Sequence, residues 1–276
     1  MREHRSAVGI ALTVLTIVCA AFWFFPLYWA VITSLKPEYD VIQPGLQLLP
    51  KTWTIAAYQY VFANTPILTW YLNSTGTSVA ITVLVLALSS ACAYALSQLR
   101  FPGQSLLYGL ILASFMVPIQ ALIVTHFVLM SDFGLVDRWL GVILPQLIVP
   151  VAVIVYKQFF DSIPQEFREA ALLDGASEYQ VFARVYLPMN WGVTTALAII
   201  TFIGAWNNFL WPFLVANSNN SMTVTVGITQ VHENFGVQYA RNLAGAVIAA
   251  LPVAAAYLLF QRRVTEAIML SAGIKG

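Results

Sequence analysis

The residues arranged for bond-making chemistry are few, and each arrangement is incomplete. His232-Glu233 begins a zinc-hydrolase pattern, in which two His one helical turn apart hold the metal and the Glu activates water. Gly236 stands where the second His belongs, so no metal site is supported. Gly175-Ala176-Ser177-Glu178 starts like a nucleophile elbow but lacks the closing Gly. There is no Gly-x-x-x-x-Gly-Lys-Ser/Thr loop to cradle a triphosphate, and Gly-Lys does not occur as a dipeptide. Cys19 and Cys92 lie inside long apolar runs, where a thiol behaves as a small hydrophobe. No disulfide framework follows from them. The chain reads as a non-enzyme with no catalytic residue, no metal and no cofactor of its own.

Recognition chemistry is better represented. Trp206, Asn207 and Asn208 place two amides beside an indole, a set that suits a polyhydroxy solute through hydrogen bonds and ring stacking. Gln120 and His126 are further candidates along the same path. The competing reading makes Trp206 and Trp211 interfacial anchors and the two Asn interhelical hydrogen-bonding groups. His126 is as readily a packed, hydrogen-bonded side chain.

The elements that position these residues follow from composition. Of 276 residues, 59% are hydrophobic and 9% charged, where a soluble domain carries roughly 25% charged residues. A formal net charge of +1 gives no whole-molecule field for nucleic acid. A helix crossing a hydrocarbon core of roughly 30 Å needs about 20 mostly apolar residues. Six charge-free runs meet that need: 8–35, 71–99, 103–130, 139–156, 191–215 and 242–260. The first is too long for the h-region of a signal peptide, about 7–15 residues, and is predicted to be a retained helix. None of the six contains Asp, Glu, Lys or Arg, which argues against a proton- or sodium-coupled carrier. Interior Pro118, Pro145, Pro150 and Pro252 each remove a backbone donor and loosen a helix.

Lys and Arg favour the cytoplasmic side of a membrane. With the amino terminus inside, Arg2, Arg5, Arg100, Lys157, Arg168, Arg184, Arg262, Arg263 and Lys275 are cytoplasmic, against Lys36, Lys51, Arg138 and Arg241 outside. Both termini are therefore predicted in the cytoplasm, and the longest inner segment is 157–190. It reads as two short helices. Ser162 with Gln165 fits a capping box and Ser177 with Gln180 repeats it, while Gly175 between them is predicted to take positive φ. Phe167, Ala170 and Ala171 form a small-residue face ringed by Glu166, Arg168, Glu169 and Asp174. Tyr179, Phe182 and Tyr186 form an apolar stripe on the second helix. This pattern suits either a docking element or an amphipathic connector on the headgroups.

Glu169-Ala170-Ala171-Leu-Leu-Asp174-Gly175-Ala176, with Phe182 and Leu187-Pro188 following, closely resembles the EAA loop of ABC importer permeases. Phe25-Pro26-Leu27-Tyr28, Ser34-Leu35-Lys36, Asn73-Ser74, Arg100-Phe101-Pro102-Gly103, the 206–212 segment and the ending 271–276 resemble the carbohydrate branch, the maltose-permease-like subunits. The resemblance implies an all-α membrane protein of the type I ABC importer permease fold, with six transmembrane helices, a cytoplasmic coupling-helix hairpin at 161–190 and a single permease domain, 1–276. It implies ATPase docking through Glu169, Ala170, Ala171, Asp174, Gly175, Ala176 and Phe182. It also implies a heterodimer with a second permease subunit, two ABC ATPase subunits that bind ATP and Mg, and an extracytoplasmic solute-binding protein, all at a bacterial or archaeal cytoplasmic membrane. Outer residues 217–220, 223–227 and 230–238 are expected to reach toward that binding protein. Alternatives are the same machine carrying glycerol-phosphate-like solutes or amino sugars and, from another class, a membrane sensor or scaffold whose hairpin docks a signalling partner.

Overall fold

The computed structural model describes residues 7–231 and 238–271, and every regular element among them is helical. The amino-terminal and carboxy-terminal basics Arg2, Arg5 and Lys275, the pair His232-Glu233, Gly236 and most of 230–238 lie outside the described residues, as does 272–276. In chain order, α1 (Ala7–Ser34) is followed by α2 (Glu38–Val41), α3 (Ala56–Asn64) and α4 (Ile67–Gln98). Next come α5 (Gln104–Phe115), α6 (Ile123–Asp132), α7 (Trp139–Ile143) and α8 (Pro150–Asp161). The segment after α8 holds α9 (Gln165–Leu173), α10 (Glu178–Val181), a π-helical turn Phe182–Tyr186 and α11 (Leu187–Met189). Then follow α12 (Trp191–Asn207), α13 (Leu210–Val215), α14 (Val224–Gly227) and α15 (Tyr239–Ser271).

Three helices are long and apolar enough to cross a membrane unbroken: α1, α4 and the Tyr239–Phe260 part of α15. The number rises to as many as six if each of three bent pairs is one span, the third of which joins Glu178–Met189 to Trp191–Asn207 at 80°. The run 103–130 is not the single helix its composition predicts. It bends by 92° between α5 and the following 3-10 turn and α6, where Pro118 is extended (φ −67°, ψ 124°) and cannot supply the N–H a continuous helix needs. The run 139–156 bends by 51° ahead of Pro150 and continues to Asp161, which places Lys157 inside α8. The run 191–215 stops at Asn207, because Asn208 is extended (φ −66°, ψ 117°) and its amide forms bonds outside the helix. Pro252 sits within α15 without interrupting it, as membrane helices allow.

Two compact units divide the chain, Met1–Ile67 with Gly227–Leu251, and Leu68–Val226 with Pro252–Gly276. In the first, the Glu38 carboxylate accepts the backbone N–H groups of Tyr239 at 2.7 Å and Ala240 at 2.9 Å. An acid at that helix start satisfies orphan donors and meets the positive end of the α15 dipole. Lys36 is buried, donates to the Gln47 carbonyl at 2.6 Å and lies over the Trp29 ring. Its burial lowers its pKa, partly opposed by Asp40. In the second unit a core packs α4, α8 and α12 against the 162–190 loop through Tyr94, Tyr156, Phe160, Val181 and Tyr186. Tyr94 meets Tyr186 edge-on at 5.2 Å, and Phe160 meets Tyr186 likewise at 5.6 Å.

Candidate docking hairpin and solute-path cluster

The α9–α10 hairpin is built by local signals. Asp174 ends α9; the Gly175 N–H donates to the Leu172 carbonyl and the Ala176 N–H to the Ala171 carbonyl, both at 3.0 Å. This is the paired closure that a left-handed residue makes, and Gly175 has φ +84°. Ser177 caps α10 reciprocally with Gln180, as its spacing predicts. The other expected box is absent. Ser162 closes α8 instead, its hydroxyl donating to the Phe159 carbonyl at 2.7 Å, while extended Pro164 precedes α9.

Once folded, the hairpin divides its residues into two faces. Glu169, Ala170, Asp174 and Gly175 are exposed, whereas Ala171, Ala176 and Phe182 are half-buried against the aromatic core. The predicted small-residue face is thus split, Phe167 and Ala170 looking outward and Ala171 inward. The stripe on the second helix is split as well: Tyr186 is buried, Phe182 is half-buried and Tyr179 is 75% exposed. Leu173, 89% exposed on α9, belongs to the outward face and was not singled out from the sequence. Leu173 stands three residues after Ala170 and four after Glu169, on the same helix face, and that spacing is the sequence signal that could have found it.

Across the hairpin the Arg168 guanidinium forks onto the Glu178 carboxylate, with Nε 3.3 Å from Oε2. The Tyr94 hydroxyl of α4 donates to the same Oε2 at 2.7 Å. Burial works to raise the Glu178 pKa, but the hydrogen bonds from Arg168 and Tyr94 prevail and hold it below the usual carboxylate range. Sequence spacing gave Arg168 only a place among the surrounding charges and did not connect it to Tyr94.

The second site lies where the bent spans meet. Gln120, His126 and Asn208 line one small cavity of about 100 Å³, together with Gln146 and Trp211. Asn208 Nδ2 donates to Gln146 Oε1 at 2.6 Å, and the rings of His126 and Trp211 meet edge-on at 6.1 Å. Trp211 Nε1 donates to the Gly141 carbonyl at 3.1 Å, which fixes the indole as a wall. His126 also lines a larger cavity of about 870 Å³ with mostly apolar walls, bounded by Pro145, Pro150 and the residues around the third-span bend. The helix breaks therefore open space as well as bending the chain.

Trp206 and Asn207 are not part of this cluster. Trp206 is 2% exposed, packed on Phe202 and Tyr71; Asn207 is exposed at the end of α12. Their neighbour alone turns into the cavity because the helix ends between Asn207 and Asn208. Gln146 was missed, though an amide in an apolar run is the same signal that marked Gln120. Among the described residues no group of three or more His, Cys, Asp or Glu could hold a metal.

Comparison with known proteins gives these features a context. The family described as binding-protein-dependent transport system inner membrane component matches residues 84–265. The arabinooligosaccharides transport system permease protein AraQ of Halalkalibacterium halodurans is 33% identical over 255 residues, 91% of each chain. The diacetylchitobiose uptake system permease protein NgcG of Streptomyces coelicolor is 30% identical, over 92% of this chain and 85% of its own. The sn-glycerol-3-phosphate transport system permease protein UgpE of Yersinia pestis is 29% identical, over 95% of this chain and 96% of its own. Among solved structures, a chain of a bacterial ABC transporter involved in import of the acidic polysaccharide alginate superposes with a TM-score of 0.83 at 23% identity. That superposition covers 95% of this chain and 98% of the other, and it establishes the shared fold.

Proposed function

The chain belongs to the family of binding-protein-dependent transport system inner membrane components, and from that premise we propose that it forms half of a translocation path for a neutral carbohydrate in an ATP-driven importer. It is a multi-pass membrane permease of the type I fold. Residues 1–276 act as one permease domain with both termini in the cytoplasm. The hairpin docks a separate ATPase subunit through Glu169, Ala170, Asp174 and the outward Leu173, with Ala171, Gly175, Ala176 and Phe182 setting its shape. A second permease completes the path, two ATPase subunits bind ATP and Mg, and an extracytoplasmic binding protein delivers the solute.

The observation that carries the solute class is the amide-rich lining of the smaller cavity. Gln120, Gln146 and Asn208 offer amides, Trp211 offers a ring face, and neither Lys nor Arg lines it. Amides and an indole recognise hydroxyls, whereas a phosphate ester calls for Arg or Lys. The AraQ and NgcG relatives carry saccharide names. UgpE supports a glycerol-phosphate alternative, in which the partner permease must provide the cation.

Affinity isolation from detergent-solubilised membranes tests the assembly: a second permease and an ATPase should come down with this chain, and recovery of neither rejects the reading. In proteoliposomes, the neutral saccharide retained by the binding protein should stimulate ATP hydrolysis. Stimulation by sn-glycerol 3-phosphate instead would select the alternative. For orientation, reporters fused at Gly276 and near Asn219 should lie inside and outside respectively; both on one side would reject the six-span topology.

A further inference from the structure

The hydrogen bonds around Glu178 join α9, which carries the docking face, to two elements outside that face. Arg168 comes from α9, Glu178 opens α10 and Tyr94 comes from the cytoplasmic end of α4, 84 residues earlier in the chain. We propose that Tyr94, Glu178 and Arg168 form a latch that makes the hairpin and α4 move as one body, so that displacement of the hairpin by an ATPase is delivered to the second span. These are positioning residues. The inference rests on the permease reading for its consequence, while the latch itself is a property of this chain.

Three features support the assignment. Arg168 and the Glu178 carboxylate are partly sheltered, with side chains 25% and 38% exposed, and they turn toward the core as Glu169 and Asp174 turn away from it. A carboxylate receiving both a guanidinium fork and a phenol hydroxyl is held in one orientation, since charge-assisted bidentate contacts fix geometry as well as lower energy. The Tyr94 ring also lies among Phe160, Phe182 and Tyr186 at 5.2–6.4 Å, so the hydroxyl is aimed by packing. A second tie, from the Tyr186 hydroxyl to Gln98 Oε1 at 2.7 Å, attaches the following turn to α4. Removing the Tyr94 hydroxyl therefore loosens the hairpin without releasing it.

Two measurements on Tyr94→Phe test this, since Phe keeps the ring and its packing. In the full chain in nanodiscs, amide exchange at 178–181 should rise roughly threefold to tenfold, the range expected when a hydrogen bond to a charged group is lost at a partly exposed site. In the reconstituted complex, ATPase retention and basal hydrolysis should match wild type, while solute moved per ATP falls by a similar factor. A hairpin that was merely destabilised would lose ATPase subunits in proportion. The exchanged pair Arg168→Glu with Glu178→Arg should recover much of what either single substitution loses. If the pair is no better than the singles, the two side chains act on the ATPase directly and the latch is rejected. Wild-type exchange and wild-type coupling in Tyr94→Phe would also overturn it. Should the wild-type chain bring down no ATPase, the permease reading fails, and the exchange measurement still decides the latch.

Discussion

Asp137 Oδ1 accepts the Ser221 hydroxyl at 2.6 Å across 84 residues of chain, and the same oxygen receives the backbone N–H groups of Asn217 at 2.7 Å and Ser218 at 2.8 Å. One carboxylate thus folds the 217–221 turn onto the segment before α7. Asp137 does so at φ +60°, the one non-glycine with positive φ among the described residues. That conformation costs an L-residue about 1–2 kcal/mol.

Acid should loosen this turn. The Ser221 bond is the largest influence on the Asp137 pKa and lowers it; burial opposes, and the Ser218 and Asn217 bonds lower it further. A carboxyl depressed in the folded state contributes stability that is fully present above its unfolded pKa of about 3.9 and is lost as pH falls through the folded value. Because Asp137 remains exposed, Asp137→Asn should cost only on the order of 1 kcal/mol. Thermal melts in detergent should show a wild-type advantage that is constant from about pH 5 to pH 8 and disappears in stronger acid. An advantage that grows below about pH 4 would contradict the arrangement.

Gly175→Val should leave membrane abundance normal and abolish or severely reduce transport and solute-stimulated hydrolysis. A Cβ there meets nothing within 4 Å, so the penalty is conformational, about 1–2 kcal/mol and more for a β-branched residue at φ +84°. Gly175→Asn should recover part of the activity, since Asn tolerates the left-handed region. Wild-type transport by Gly175→Val in proteoliposomes would refute the need for this turn.

Two other glycines should differ in a measurable order. A Cβ at Gly141 would stand 2.2 Å from the Leu135 carbonyl oxygen, which is backbone, and a Cβ at Gly76 would stand 2.2 Å from the Trp139 ring, which is a partly exposed side chain. The ring can swing away at the cost of its 2.9 Å bond to Asn73 Oδ1; the carbonyl cannot move without its segment. Gly141→Ala should therefore lower stability by about 1–3 kcal/mol or more and Gly76→Ala by less, as read from melts of the detergent-solubilised proteins. Equal losses would show that the ring is as fixed as the backbone.

On the proposal that the smaller cavity lies on the solute path, Gln120→Leu should raise the solute concentration for half-maximal transport by roughly tenfold while ATPase retention stays normal, as expected when a polar group facing bound hydroxyls is removed. Asn207→Leu should leave that concentration unchanged, because Asn207 lies outside the cavity lining. Transport kinetics in proteoliposomes decide the matter, and equal effects of the two substitutions would dissociate the cavity from the solute.

Sequence alone determined the features that depend on local chemistry. Length and apolarity specify where α1, α4 and α15 cross, because a helix must satisfy its own backbone in lipid. Ser177, Gln180 and Gly175 specify the hairpin turn, because a reciprocal cap and a left-handed residue require those side chains at that spacing. Tertiary structure decided what depends on neighbours distant in the chain. Ser162 had the right spacing for a cap, but α8 extends to Asp161 and claims it. Trp206 and Asn208 were equal candidates until the break after Asn207 sent one into packing with Tyr71 and the other toward Gln146. Ala170 and Ala171 differ by one position, about 100° around a helix of 3.6 residues per turn, and only the core of Tyr94, Phe160 and Tyr186 determines which of them faces inward. The Tyr94–Glu178 and Asp137–Ser221 bonds each span 84 residues, and no local periodicity encodes a contact at that separation; packing of the helices brings the partners within reach.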